Sequence, residues 1–132
     1  MRLEQCMDAY LAASALQHEK MPFRTAWALA SCMAQLRDTA DFFAKREKEL
    51  ALQYAKKDSD GKIEWIRDGT FAMADASAAE AFRAEHDELC SVEAAQGYSM
   101  PPAAPAPEQI TPAQIAALHG FVEFEEGGKT YG

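Results

Sequence analysis

Residues 22–56 carry the strictest pattern in the chain. Ala26, Leu29, Met33, Leu36, Ala40, Phe43, Glu47, Leu50 and Tyr54 recur alternately three and four apart. That spacing lines up one narrow side of an α-helix, the pattern of helix-on-helix packing. An unbroken helix over this stretch runs roughly 50 Å at about 1.5 Å per residue. Arg37, Asp38, Asp41, Lys45, Lys48 and Glu49 fall on the opposite side. A seam this long cannot cover itself, so its partner helices must come from the same chain or from copies of it. The expected fold class is mainly α: an antiparallel helical hairpin or bundle with one long central helix, a small β-hairpin and a C-terminal docking segment. Glu47 interrupts the seam and has two readings. Either the seam opens to water there, or Glu47 makes a buried polar contact that sets the register of pairing.

The other elements are placed around this helix. Residues 3–19 form a first helix, with Leu3, Met7, Tyr10 and Ser14 on one face, widened by Cys6 and Leu11. A turn over His18–Met21 folds it back against the long helix, and Pro22 suits the first helical turn, where its missing N–H costs nothing. Asp58-Ser59-Asp60-Gly61 ends the long helix. It echoes a calcium loop, but Lys56 and Arg67 would stand at that loop's first and twelfth positions, so it is an Asx- and Gly-rich turn. Alternation over 62–74, with Asp68-Gly69 at its centre, predicts the hairpin, pairing Arg67 with Thr70, Ile66 with Phe71 and Trp65 with Ala72. Ser77-Ala78-Ala79-Glu80 reads as a capping box. It opens a third helix to about residue 95, with Phe82, Leu89 and Val92 inward, His86 near the same face and Gln96-Gly97 as its end. Residues 1–97 are thus a helical body. Residues 98–109 are a semi-rigid proline-rich linker. Residues 110–126 are a short helix and strand that dock, on this subunit or a neighbour, with Thr111 capping and Ile115 and Leu118 apolar. Residues 127–132 are a frayed tail.

Composition removes several function classes. The 132 residues carry a net charge of −8, which disfavours nucleic acid and anionic membrane surfaces, since both need clustered Lys and Arg. Three widely spaced cysteines, Cys6, Cys32 and Cys90, read as reduced thiols and not as a disulfide framework. No apolar run approaches a membrane span and the N-terminus has no signal-peptide core. These features point to a soluble cytoplasmic chain.

Signals of chemistry are sparse, and no catalytic residue, cofactor or metal is expected. His86 and Cys90 lie four apart on one helix, but zinc needs two further ligands; Cys6, Cys32, His18 and His119 are the remaining sources. Gly127-Gly128-Lys129-Thr130 echoes a phosphate loop but has Glu123 at the leading glycine position and no helix after it. Gly97-Tyr98-Ser99 lacks the closing glycine of a nucleophile elbow. Glu85, Asp87 and Glu88 read as a solvated helix face. The ligand or interface candidates are Arg24, Trp27, Trp65, Arg67, Phe71, Arg83, Phe121 and Phe124. The aromatics among them fit a plain core role, an interface, or a ligand platform.

The order of motifs resembles a known group. Leu16-Gln17-His18-Glu19-Lys20-Met21-Pro22-Phe23-Arg24-Thr25-Ala26 leads into a long charged helix. That helix ends in Lys56-Lys57-Asp58-Ser59-Asp60-Gly61 before a hairpin, and Phe82-Arg83-Ala84-Glu85-His86-Asp87-Glu88-Leu89 follows. Over residues 3–95 this resembles a family of small tailed-phage proteins defined only as a domain of unknown function, and residues 110–126 resemble a C-terminal segment of related gut-phage proteins. The alanine content and the proline spacer depart from that pattern. The resemblance implies a phage or prophage origin. The expected function is a non-enzymatic, homo-oligomeric binding protein in the host bacterium's cytoplasm, antagonising host defence by blocking a host protein or sequestering a nucleotide signal. A protein target would meet the acidic face of the long helix. A nucleotide would need Arg24, Arg67, Arg83 or Lys129 beside Trp65, Phe71 or Tyr131, for phosphate contacts and stacking. The alternative is a virion structural or tail-assembly accessory protein.

Overall fold

In a computed structural model, residues 1–67, 70–94 and 97–125 are described, with Trp65, Ile66, Arg67 and Thr70 described by their backbone alone. The fold is mainly helical. Helix α1 spans Leu3–Leu16, α2 Phe23–Tyr54, α3 Ala76–Ser91 and α4 Pro112–Leu118, with two short strands, β1 Trp65–Arg67 and β2 Thr70–Phe71, between α2 and α3.

Helix α2 is continuous over 32 residues, about 48 Å at 1.5 Å per residue. Pro22 stands just before it as the N-cap, its carbonyl accepting from Ala26 N at 3.0 Å. The buried side of its N-terminal half is Thr25, Ala28, Leu29, Cys32 and Leu36, and Phe43 and Leu50 continue it. Ala26, expected on the seam, is exposed. The seam is rotated there because α1 approaches over the small side chains Ala28 and Cys32. Helix α1 stops at Leu16, where Glu19 N closes a turn on its carbonyl at 3.0 Å. Its buried face is Leu3, Cys6, Ala9, Ala12, Ala13 and Leu16; Met7 and Tyr10 pack at the edge, and Leu11 is 53% exposed. Small residues take the centre of the contact because they let the two backbones approach closely.

Between 62 and 74 the full expected hairpin is not shown. The pairing is limited to Arg67 with Thr70 and Trp65 with Phe71, with an irregularity between them, so Phe71 meets Trp65 where Ile66 was expected. Asp68 and Gly69, the expected turn, lie outside the described residues. The chain leaving α2 takes part instead. Ala55 bridges Met73 and Lys57 bridges Ile63, with Lys56 N donating to Ala72 O at 2.8 Å and Glu64 N to Lys56 O at 2.9 Å. An isolated hairpin is marginal in water, and residues 55–57 stiffen both arms by lying between them. The Asp58 turn holds, since its Oδ1 accepts from Asp60 N at 2.8 Å and Lys62 N at 3.1 Å.

Helix α3 begins two residues earlier than its sequence suggests. Asp75 is the cap, accepting from Ala78 N at 2.7 Å, so Ser77 already lies inside the helix. The helix ends at Ser91, which leaves Val92 outside it and 45% exposed. Its end is fastened to the start of the chain: Leu3 N donates to Val92 O at 2.8 Å and Ala94 N to Met1 O at 2.7 Å. Gln96 lies outside the described residues.

Residues 98–107, expected as a spacer, pack on the helices. Pro101, Ala104 and Pro107 are buried. Gln35 and Ser99 exchange two hydrogen bonds, each 2.9 Å. Thr25, the one buried polar side chain among the described residues, donates its hydroxyl to Pro105 O at 2.6 Å. Ala104 pairs in parallel with Phe124. Helix α4 has the expected cap, Thr111 Oγ1 accepting from Gln114 N at 3.1 Å. The segment docks in cis, with Leu118, Phe121 and Val122 in the same core as α1 and α2. Of its two apolar residues Leu118 is buried, while Ile115 is 44% exposed. The expected tail, 127–132, lies outside the described residues.

Thr25→Val keeps the volume at this contact but strands the Pro105 carbonyl. The variant should unfold about 1–3 kcal/mol more easily than the parent, read as a lower urea midpoint at unchanged slope.

Candidate functional site

The densest polar cluster joins α2 to α3. His86 lies parallel to Phe82, ring centroids 5.5 Å apart, and edge-on to Phe43 at 6.2 Å. Its Nε2 is 2.7 Å from Glu47 Oε2, and its Nδ1 is 3.7 Å from Cys90 Sγ. A carboxylate can only accept, so Nε2 carries the proton. In the neutral ring Nδ1 is then left as an acceptor facing the thiol. Glu85, next to His86 in sequence, accepts from the Tyr54 hydroxyl, two turns beyond Glu47 on α2. Glu47, the seam defect, therefore has a polar partner on the facing helix while its side chain stays 45% exposed. The seam is open to water there, and the carboxylate meets His86 without being buried.

Thiol, imidazole and carboxylate in this order resemble a nucleophilic triad, but the electrostatics run the other way. Reactive thiols sit beside cations or helix N-termini, which lower their pKa. Burial, then a hydrogen bond to Glu4 and the charges of Glu4, Glu47 and Asp87, push Cys90 up to about 11. At neutral pH only about one thiol in 10,000 is then ionised. The arrangement holds a protonated thiol and orients an imidazole; it does not prepare a nucleophile. Cys6 and Cys32 lie elsewhere, in the core, each pushed upward chiefly by burial. No group of three or more potential metal ligands occurs among the described residues.

The eight residues singled out by sequence are dispersed. Arg24, exposed, is paired with Glu125 at 2.8 Å. Trp27 is 58% exposed on α2. Phe71 is half-buried in β2 and Arg83 exposed on α3. Phe121 is a core residue at 4% exposure, edge-on to Tyr98 at 5.4 Å, and that tyrosine's hydroxyl donates to Phe121 O at 2.5 Å. The plain core reading fits this residue, since the turn after α4 carries it inward. Phe124 packs against the core and also walls a groove of about 720 Å³ shared with Met100, Ile115 and His119. The side chains of Trp65 and Arg67, and all of Lys129 and Tyr131, lie outside the described residues. Arg83 belongs to the end of α2 where Glu85 meets Tyr54, roughly 40 Å along the helix from Arg24 at 1.5 Å per residue. Those two arginines cannot converge on one nucleotide within a protomer.

Sequence reasoning missed Phe23, which is 85% exposed one turn before Trp27. The two form an uncovered aromatic pair. The signal was available as an i, i+4 aromatic spacing. No helix among the described residues is long and apolar enough to cross a membrane. No protein-family model matches the chain, and no curated protein or solved structure shows significant similarity to it.

The native Cys90 thiol ionises near 11, against an ordinary 9.0. Between those values the folded state holds the extra proton, so stability is full below pH 9 and is lost as pH rises toward 11. Denaturant midpoints at pH 8 and pH 10.5 should therefore differ, and Cys90→Ala should narrow the difference.

Proposed function

We propose that this chain is a non-enzymatic, self-associating binding protein, encoded by a phage, that acts in the host cytoplasm by covering part of a host defence protein. The observation that carries the reading is the outward side of α2. It presents Phe23 and Trp27 at 85% and 58% exposure, followed by the exposed charges Asp38, Asp41, Lys45 and Lys48. Scattered exposed apolar residues are ordinary on a soluble surface, whereas two aromatics one turn apart mark an interface. The protonated Cys90 thiol supports the non-enzymatic part. The phage context rests on the resemblance of residues 3–95.

Between the two modes of action, blocking a protein is favoured over sequestering a nucleotide. Arg24 is engaged by Glu125 and Arg83 stands at the far end of α2, so these two arginines do not make the phosphate-binding pair that a nucleotide needs within one subunit. The charged stretch after Ala34, led by Asp38 and Asp41, is the surface assigned to the target.

Calorimetry against a panel of cyclic nucleotides should give no heat. Affinity capture from host lysate should recover one stoichiometric protein, and Asp38→Lys with Asp41→Lys should cut recovery at least tenfold. Undiminished capture by the double variant would move the contact off α2. Finding the chain as a component of purified phage particles would favour a virion role instead.

A further inference from the structure

Phe23, Trp27, Ala30 and Ala34 are spaced four, three and four apart, and all four are exposed. They are therefore in line on one stripe of α2, outside the side that packs on α1. The stripe is graded: two large aromatics at its start, two alanines one and two turns later. Beside it lies a groove of about 600 Å³ between the α1–α2 turn and α2, bordered by Met21, Ala26, Leu29 and Met33 and by the charged Glu19 and Lys20.

We infer that this stripe is where a second copy of the chain docks, the two α2 helices running antiparallel with Trp27 of each subunit set over Ala30 of the other and into the groove beside it. The inference rests on the self-association in the reading above and adds its surface, register and key residues. The register follows from the spacing. Antiparallel helices meet in layers that pair one seam position with the other kind on the facing helix. Centring the two-fold axis between Ala28 and Leu29 places Trp27 opposite Ala30 and, in the same register, Phe23 opposite Ala34. Each large side chain then faces a small one, which is the condition for interdigitated packing. A parallel pair would set aromatic on aromatic and alanine on alanine.

The same grading selects a copy over a foreign partner, because the stripe is complementary to its own reverse. Ala26 and Met33 meet on one flank in that register, with Glu19 and Lys20, of opposite charge, bordering the groove beside it. Four aromatics, each able to bury at most about 150–250 Å², supply about 600–1,000 Å², below the roughly 1,200 Å² at which standard specific interfaces begin. A reversible dimer is expected. With each chain at −8, long-range repulsion opposes it and salt should relieve that repulsion.

Sedimentation equilibrium tests the register. The parent should weigh twice the 14.5 kDa chain mass, and its dissociation constant should fall at least twofold from 50 to 500 mM NaCl. Trp27→Ala should be monomeric at the same concentration, and Ala30→Trp likewise, because two indoles would then collide. The double variant, Trp27→Ala with Ala30→Trp, exchanges large for small and should be dimeric again. Circular dichroism should match the parent throughout, since both positions are exposed. A dimer that survives Trp27→Ala, weakens with salt, or is not regained in the double variant overturns this register while leaving self-association intact. A parent that stays monomeric at 100 µM overturns both, and the outcome of target capture by the Asp38 and Asp41 variants stands apart from either.

Discussion

The contact between α1 and α2 is made of side chains that contribute little surface individually. Cys6, Ala9, Ala13, Ala28 and Cys32 are wholly buried, and none extends beyond two heavy atoms from its Cα. Helices separated by such residues must approach closely before any van der Waals contact forms. The close approach leaves no thickness for a large core between the pair. The bulky groups Leu16, Leu29, Leu118 and Phe121 belong to the same core, and the helix pair needs a cover to complete it. Residues 98–125 provide it, which is why a segment rich in proline is held in place by Thr25 and Gln35 and is not a loose connection.

The long helix and the cap of α4 were legible because their information is local. A heptad-like period and Thr111-Pro112 act within a few residues of where they stand. What failed needed knowledge of a neighbour. The N-terminal seam of α2 turns from Ala26 to Thr25 and Ala28 because α1 lies there, and the sequence of α2 does not record where α1 lies. Residues 98–109 read as a spacer because proline excludes helix and central strand, and that rule is silent on packing. A finer cue was present. Pro101, Ala104 and Pro107 are buried at every third position, the period of an extended left-handed helix laid on a surface. Residues 55–57 escaped notice because a strand of three residues directly after a helix carries too few alternations to show a period.

The candidate site was half legible for the same reason. Glu47 stood out as a carboxylate on an apolar seam, and His86 with Cys90 as a spaced pair. Joining Glu47 to His86 required the rotation of α3 against α2, fixed by Phe82, Phe43 and Leu89 and absent from either segment alone. The aromatic and arginine candidates were chosen by residue type, and type does not encode distance. Packing therefore placed Phe121 inside, left Trp27 outside and set Arg83 far from Arg24.

The cover over the helix pair also sets an order of events as the chain is made. Thr25 waits for Pro105, and Arg24 for Glu125. Contacts of this sequence separation close large loops and lower the folding rate below that of helical proteins with local contacts. At about 5–20 residues per second, roughly 4–14 s separate the emergence of Tyr54 from that of Glu125. Through that interval the nascent α1–α2 pair stands with its lateral face bare to water, a window in which chaperones or neighbouring polysomal chains compete with the protein's own later segment.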